Sequence, residues 1–201
     1  TTAYEDTIDI EDQMETAEGT LFALSQKHLR KDVQPIDSVL KIAIDDIKAA
    51  ANSAEGISGI SSGFDGIDAM TAGWQKSDLI IIAARPAIGK TAFVLSMAKY
   101  IAVDNKIPVA LFNLEMSSVQ LVKRLISNVC ELPGEKLKSG QLEKFEWTQL
   151  DERISVLENT PLYIDDTPSL SVFELRTKVR RLVREHDIKI IIIDYLQLMT
   201  G

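Results

Sequence analysis

One cysteine, Cys130, occurs in 201 residues, which excludes an internal disulfide and suits a reducing compartment. Its expected place is the core, as a small buried thiol. No run approaches the roughly 18 consecutive apolar residues that a membrane span requires. The acidic start also lacks the basic-then-apolar layout of a signal peptide, so the expected location is the cytoplasm. The two histidines, His28 and His186, belong to no triad pattern and are expected at the surface near helix ends. Basic residues are missing from the start of the chain. Glu5, Asp6, Asp9, Glu11, Asp12, Glu15 and Glu18 all precede Lys27, the first of them, and account for seven of the eight charges in a net charge of -8. A pI near 4.9 would ordinarily argue against a nucleic-acid partner. Here the acidity is local, the remainder nets -1, and that exclusion lapses.

What is present is a globular composition. Apolar residues at 45% and charged residues at 26% exclude a disordered or fibrous chain, and the length allows one domain with an appendage. From about Glu11 to Lys31, the residues Met14, Ala17, Leu21, Leu24 and His28 recur at three- and four-residue steps and predict a helix. Pro35 restarts the pattern, since proline is tolerated in a first turn, and Ile36, Val39, Leu40, Ala43 and Ile47 share one face of a second helix. Two short helices cannot bury their apolar faces alone and need a partner surface. The stretch ANSAEGISGISS, Ala51 to Ser62, then reads as a joint. The expected units are residues 1–57 and 58–201, with the boundary near Ser58.

Beyond it, apolar runs at Leu79 to Ala84, Val109 to Leu114, Leu162 to Ile164 and Ile190 to Ile193 predict strands buried on both faces, hence a parallel sheet. Helical patterns separate them at about 90–103, 118–130, 141–157 and 172–186. The order β-α-β-α-α-β-α-β is that of an α/β domain. Ser117 with Gln120, and Ser171 with Glu174, have capping-box spacing.

The strongest motif is Ala84-Arg85-Pro86-Ala87-Ile88-Gly89-Lys90-Thr91. It matches the phosphate-binding loop G-x-x-x-x-G-K-[ST] except for alanine at the first glycine. A loop between strand and helix turns successive N–H groups toward an anion at the positive end of the helix. Gly89 permits close approach, Lys90 brings a cation to the β- and γ-phosphates, and the Thr91 hydroxyl can ligate magnesium. The expected cofactors are therefore ATP and Mg2+. Four isoleucines, Ile190 to Ile193, deliver Asp194 at the carboxyl edge of the sheet, the edge at which open α/β sheets bind ligands. Asp194 can complete the metal site or be an ordinary strand-end residue.

Tyr195 occupies the position after Asp194 where many ATPases carry a glutamate. Glu115, directly after the run Val109 to Leu114, could act as general base from the side, or be a residue favoured by the dipole of the next helix. Gln197 could sense the γ-phosphate or be a polar loop residue. Glu115, Lys90 and Gln197 form the candidate catalytic set. Asp165 and Asp166 end a strand at the same edge, where capping of the turn toward Ser171 is favoured over metal binding.

Together, SSGFDGIDAMTAGWQKSDLIIIAARPAIGKTAF, ALFNLEMSSVQLVKR, PLYIDDTPSLS and IIIIDYLQLM resemble, in order and spacing, the ATPase domain of DnaB-type replicative DNA helicases over about residues 61–201. Alanine at the first loop position is a habit of that family, whereas Lys76-Ser77 replaces its usual proline-glycine. LRKDVQPIDSVLKIAIDDI resembles the end of the family's N-terminal domain and its linker helix. The resemblance implies a RecA-like P-loop three-layer sandwich, here truncated. It also implies a homo-hexameric ring joined through the linker helix, and ATP-driven 5′ to 3′ translocation on single-stranded DNA. Primase and a helicase loader are the implied partners. It assigns Lys90 and Thr91 to phosphate and magnesium, Glu115 to the attacking water, Asp194 to magnesium and Gln197 to γ-phosphate sensing. Family members continue past the position of Gly201 with further strands, DNA-contacting loops and an arginine finger, so a fragment is expected, able to bind nucleotide but incomplete for turnover. A RecA-like recombinase, a regulatory ATPase or an assembly module with a vestigial site remain the alternatives.

Overall fold

The computed structural model describes Gly19 and residues 35–51 and 56–200. The chain divides into two compact units, Thr1–Ala51 and Asn52–Gly201. The helix expected over Glu11 to Lys31 lies outside the described residues, apart from Gly19, which is helical.

In the first unit, α1 spans Ile36–Ala51. It starts directly after Pro35, whose O accepts the Ser38 hydroxyl at 2.7 Å. Asp37 in the first turn and Lys48 in the last complement the helix dipole. Ile36, Val39, Leu40 and Ile47 are all exposed.

The second unit opens with a short antiparallel bridge, Ile60 to Trp74, enclosing α2, Asp65–Thr71. Asp68 is buried and accepts from Ser61 Oγ at 2.5 Å and Ser62 N at 2.8 Å. Burial pushes its carboxyl up, but these hydrogen bonds outweigh it and hold the group below the usual range. Phe64 stacks on Phe93 with ring centroids 4.6 Å apart, fastening this opening segment to α3, Lys90–Lys99. A π-helical turn, Tyr100–Asp104, continues α3.

Three strands follow: β1 Val109–Asn113, β2 Leu162–Asp165 and β3 Ile190–Asp194. They form a parallel sheet in the order β2-β1-β3. Between them come α4 Ser118–Cys130, α5 Gly134–Ser139, α6 Lys144–Ile154 and α7 Val172–His186. Side chains alternate across a strand, and β1 is buried throughout. Val109 and Leu111 face Val94, Met97 and Ile101 of the α3 segment and Leu121 of α4. Ala110 and Phe112 face Leu170 and Ile188, with Leu175, Val179 and Leu182 of α7 packed around them. Each fully buried large apolar side chain contributes about 1.5–3 kcal/mol. The central strand β1 is thus covered on both faces, as the unbroken apolar runs predicted, whereas β2 is half-buried along its length and Ile191 of β3 is exposed. Cys130 is buried, and that burial raises its thiol pKa against the opposing charge of Arg153.

The first expected strand is a correction. Leu79 to Ala84 forms no ladder among the described residues, and Leu79 and Ile81 are 84% and 73% exposed. Apolarity supplies surface to bury, but a strand also needs a neighbour for its N–H and C=O groups. Those groups of the run pair with no described strand, although β3 is an edge strand with its outer side unpaired among the described residues. The helix expected over 141–157 begins at Lys144 and ends in a 3-10 turn, Ser155–Leu157, while α5 and α2 were not anticipated.

Candidate functional site

The phosphate-loop string forms the turn between the Leu79 to Ala84 run and α3. Gly89 adopts a φ of 106° at the N-cap of α3, a region open to glycine at little steric cost. Residues 84–89 are exposed, so the loop faces outward while the helix behind it is buried at Val94, Leu95, Met97 and Ala98.

Asp194 stands opposite, last in β3 and 2% exposed. Its Oδ2 accepts the Thr91 hydroxyl at 2.8 Å, and Lys90 Nζ lies 3.0 Å from its Oδ1. The ammonium also sits 4.1 Å from the centroid of the Tyr195 ring, a cation–π distance. Oδ1 is buried without an aligned hydrogen bond, so the Lys90 contact is a charge contact only. Lys90 and Thr91, adjacent in sequence, therefore meet the sequence-distant Asp194 at one point.

Glu115 follows β1 at the same sheet end and is exposed. Its N–H and that of Met116 both donate to Asn113 Oδ1, at 3.0 and 2.6 Å. Asn113 is 1% exposed, pairs in register with Asp194, and donates its Nδ2 to Asp194 Oδ2 at 3.4 Å. Sequence reading passed over Asn113 and noted Tyr195 only as the residue standing where many ATPases carry a glutamate. The available signal for Asn113 was a carboxamide interrupting an apolar run. Gln197 lies in a 3-10 turn, Leu196–Leu198, exposed and without a hydrogen bond to Asp194 or Lys90.

The neighbouring acids hold the backbone in place. Asp166 Oδ2 accepts the Ser118 N–H at 2.6 Å, a bond that lowers its pKa, so it holds the start of α4 rather than the turn toward Ser171. Asp165 is pushed up by burial but held low overall by hydrogen bonds from Thr167 and Lys178; the Lys178 ammonium is 2.9 Å away. The Ser117–Gln120 capping box is formed, and Ser171 accepts from Glu174 N at 3.1 Å. His186 stacks on Tyr163 with ring centroids 4.3 Å apart.

Residues 59–201 match the family model for the DnaB-like helicase C-terminal domain. The chain belongs to this family. It is 41% identical over 193 residues to the replicative DNA helicase DnaC of Bacillus subtilis, covering 96% of this chain and 42% of that protein. It is 40% identical over 197 residues to the replicative DNA helicase DnaB of Geobacillus stearothermophilus, covering 98% and 43%. Among solved structures it resembles an isolated ATPase domain, with a TM-score of 0.77, 34% identity and coverage of 84% and 60% of the two chains. It also resembles a DnaB-like replicative helicase studied for its interactions with primase, with a TM-score of 0.73, 32% identity and coverage of 92% and 44%. The fold is accordingly the RecA-like α/β fold of helicase ATPase domains. The chain spans less than half the length of these two bacterial relatives. Among the described residues, no helix is long and apolar enough to cross a membrane.

Proposed function

We propose that the protein to which these residues belong is a replicative DNA helicase that hydrolyses ATP to move 5′ to 3′ on single-stranded DNA and unwind duplex as a hexameric ring. The observation that carries this reading is the meeting of Lys90, Thr91 and Asp194 at one point, in a chain of the DnaB-like family.

The donor set suits magnesium nucleotide. A hydroxyl and a carboxylate are hard oxygen ligands of the kind magnesium takes, and Asp194 Oδ1 is buried without an aligned donor. Thr91 and Asp194 would hold the metal, which would supply charge neutralisation between the β- and γ-phosphates. Residues 84–89 would cradle the phosphates through their N–H groups, with Lys90 moving from Asp194 to the phosphate oxygens. Glu115, at the end of β1, would orient and deprotonate the attacking water. Gln197 would register loss of the γ-phosphate.

Assembly would run through α1. Its exposed Ile36, Val39, Leu40 and Ile47 need cover, and α4, α5 and α6 offer an apolar groove lined by Ile126, Leu137, Leu142, Trp147, Leu150 and Ile154. A second copy's helix in that groove would build the ring. Residues 1–57 would then serve as the end of an N-terminal domain with its linker, and 58–201 as part of the motor. Primase and a loader are the proposed protein partners, in the cytoplasm.

The test is ATP hydrolysis by the whole protein with and without single-stranded DNA, together with unwinding of forked duplexes of either polarity. Stimulation by single strands and unwinding from a 5′ tail are expected. ATP hydrolysis with strand exchange but no directional unwinding would overturn the reading.

A further inference from the structure

The loop that carries Glu115 is pinned at both ends by side chains from strand ends. Downstream, Asp166, the residue directly after β2, takes the Ser118 N–H. Upstream, Asn113 takes the N–H groups of Glu115 and Met116 on a single oxygen. The other half of the same carboxamide reaches across to β3 and donates to Asp194 Oδ2, which also receives Thr91. We infer that Asn113 is a positioning residue that sets the distance between the water-activating carboxylate of Glu115 and the metal-holding carboxylate of Asp194. The inference rests on the roles proposed above for those two carboxylates.

The chemistry of the side chain supports this assignment. A carboxamide presents an acceptor and a donor on one rigid plane. An aspartate of the same shape could still accept from the loop but would set a second carboxylate against Asp194. A serine is too short to span both, and an alanine does neither. Asn113 is buried, so neither bond is readily replaced by water. Its backbone is fixed too, because it pairs with Asp194 in the β1–β3 ladder and Leu114 N donates to Asp194 O at 2.9 Å. The side chain thus adds to a rigid frame a direct link between loop and metal site. Because Asp166 and the capping box hold α4 independently, losing the upstream pin should loosen Glu115 without unfolding the helix.

The experiment compares wild type, Asn113→Ala, Asn113→Asp and Lys90→Ala in the whole protein. Three readouts are used: amide hydrogen exchange over residues 114–117, kcat and KM for ATP, and binding of a fluorescent ATP analogue as magnesium is titrated. In Asn113→Ala, exchange at Glu115 and Met116 should rise about tenfold or more. Its kcat should fall about a hundredfold, as misplacement of a reacting group does, with KM within about threefold of wild type. Asn113→Asp, which keeps the shape and the acceptor, should return exchange to near the wild-type rate. It should shift the magnesium midpoint, because the donor to Asp194 has become a carboxylate. Unchanged exchange in Asn113→Ala, or equal losses of kcat and nucleotide affinity, would overturn the inference. So would an Asn113→Asp variant with wild-type magnesium dependence. If wild type fails to bind the analogue, or Lys90→Ala binds it as well as wild type, the nucleotide-site reading itself fails, and the exchange measurement still decides whether Asn113 pins the loop.

Discussion

The ammonium of Lys90 lies 3.0 Å from Oδ1 of Asp194, with side chains 26% and 3% exposed. The cation proposed for phosphate and the anion proposed for magnesium are each other's counter-charge. In the proposed reading, magnesium nucleotide would exchange this one ion pair for two, Lys90 with phosphate and Asp194 with the metal.

That pairing makes a stability prediction separable from activity. Lys90→Met leaves a nearly buried carboxylate with only hydroxyl and amide partners, and should lower unfolding stability by about 1–2 kcal/mol, reduced from the value for a wholly buried pair because Lys90 is partly solvated. Adding Asp194→Asn should recover part of that loss. A double-mutant cycle in urea measures the coupling; strictly additive losses would refute it.

Glu115→Ala should reduce ATP turnover by a factor of about 100 to 10,000, the range for a lost general base, while ATP binding with magnesium persists. Single-turnover hydrolysis and equilibrium binding in the whole protein separate the two. Turnover near the wild-type rate would remove Glu115 from the mechanism.

The pair Asp165–Lys178 carries a pH signature. Asp165 titrates below its ordinary 3.8 in the folded chain, so its contribution is present above that pH and is lost as pH falls through the lowered folded value. Lys178 is raised above 10.5 by Asp165 and Glu174 against the opposing effect of burial, so its contribution is present below that pH and is lost as pH rises through the raised value. The difference in urea midpoint between wild type and Asp165→Asn should therefore be largest near neutrality and shrink as pH falls below 3.8. A difference independent of pH would contradict the assignment.

Assembly is testable at both proposed surfaces. Leu40→Asp on α1 and Trp147→Asp in the α4–α6 groove each place a carboxylate on exposed apolar surface, so the fold should tolerate them while the ring dissociates. Sedimentation velocity of the whole protein should show smaller species for either variant. A wild-type sedimentation profile in both would exclude this interface.

The parts legible in the sequence are those where a local signal and a tertiary demand coincide. Helices α4 and α7 begin where Ser117 and Ser171 place an oxygen over the first turn, and end at positive φ on Glu131 and Asp187. The strand β3 ends on Asp194, the acid that meets Lys90 and Thr91, directly after the four isoleucines. Helix α5 carries Leu137 but no repeating apolar face, so periodicity could not reveal it. Asn113 was hidden for the opposite reason. It sits inside an apolar run, and its two bonds join residues near in sequence to one far away, a relation that no spacing records.

The unpaired run Leu79 to Ala84 has a practical consequence for anyone handling these residues. Six uncharged residues with four large aliphatic side chains, Leu79, Ile80, Ile81 and Ile82, all exposed, fit the signature of a segment that recruits identical strands from other molecules. A single charged substitution at Leu79 or Ile81 is the change that should raise the concentration at which the protein can be kept.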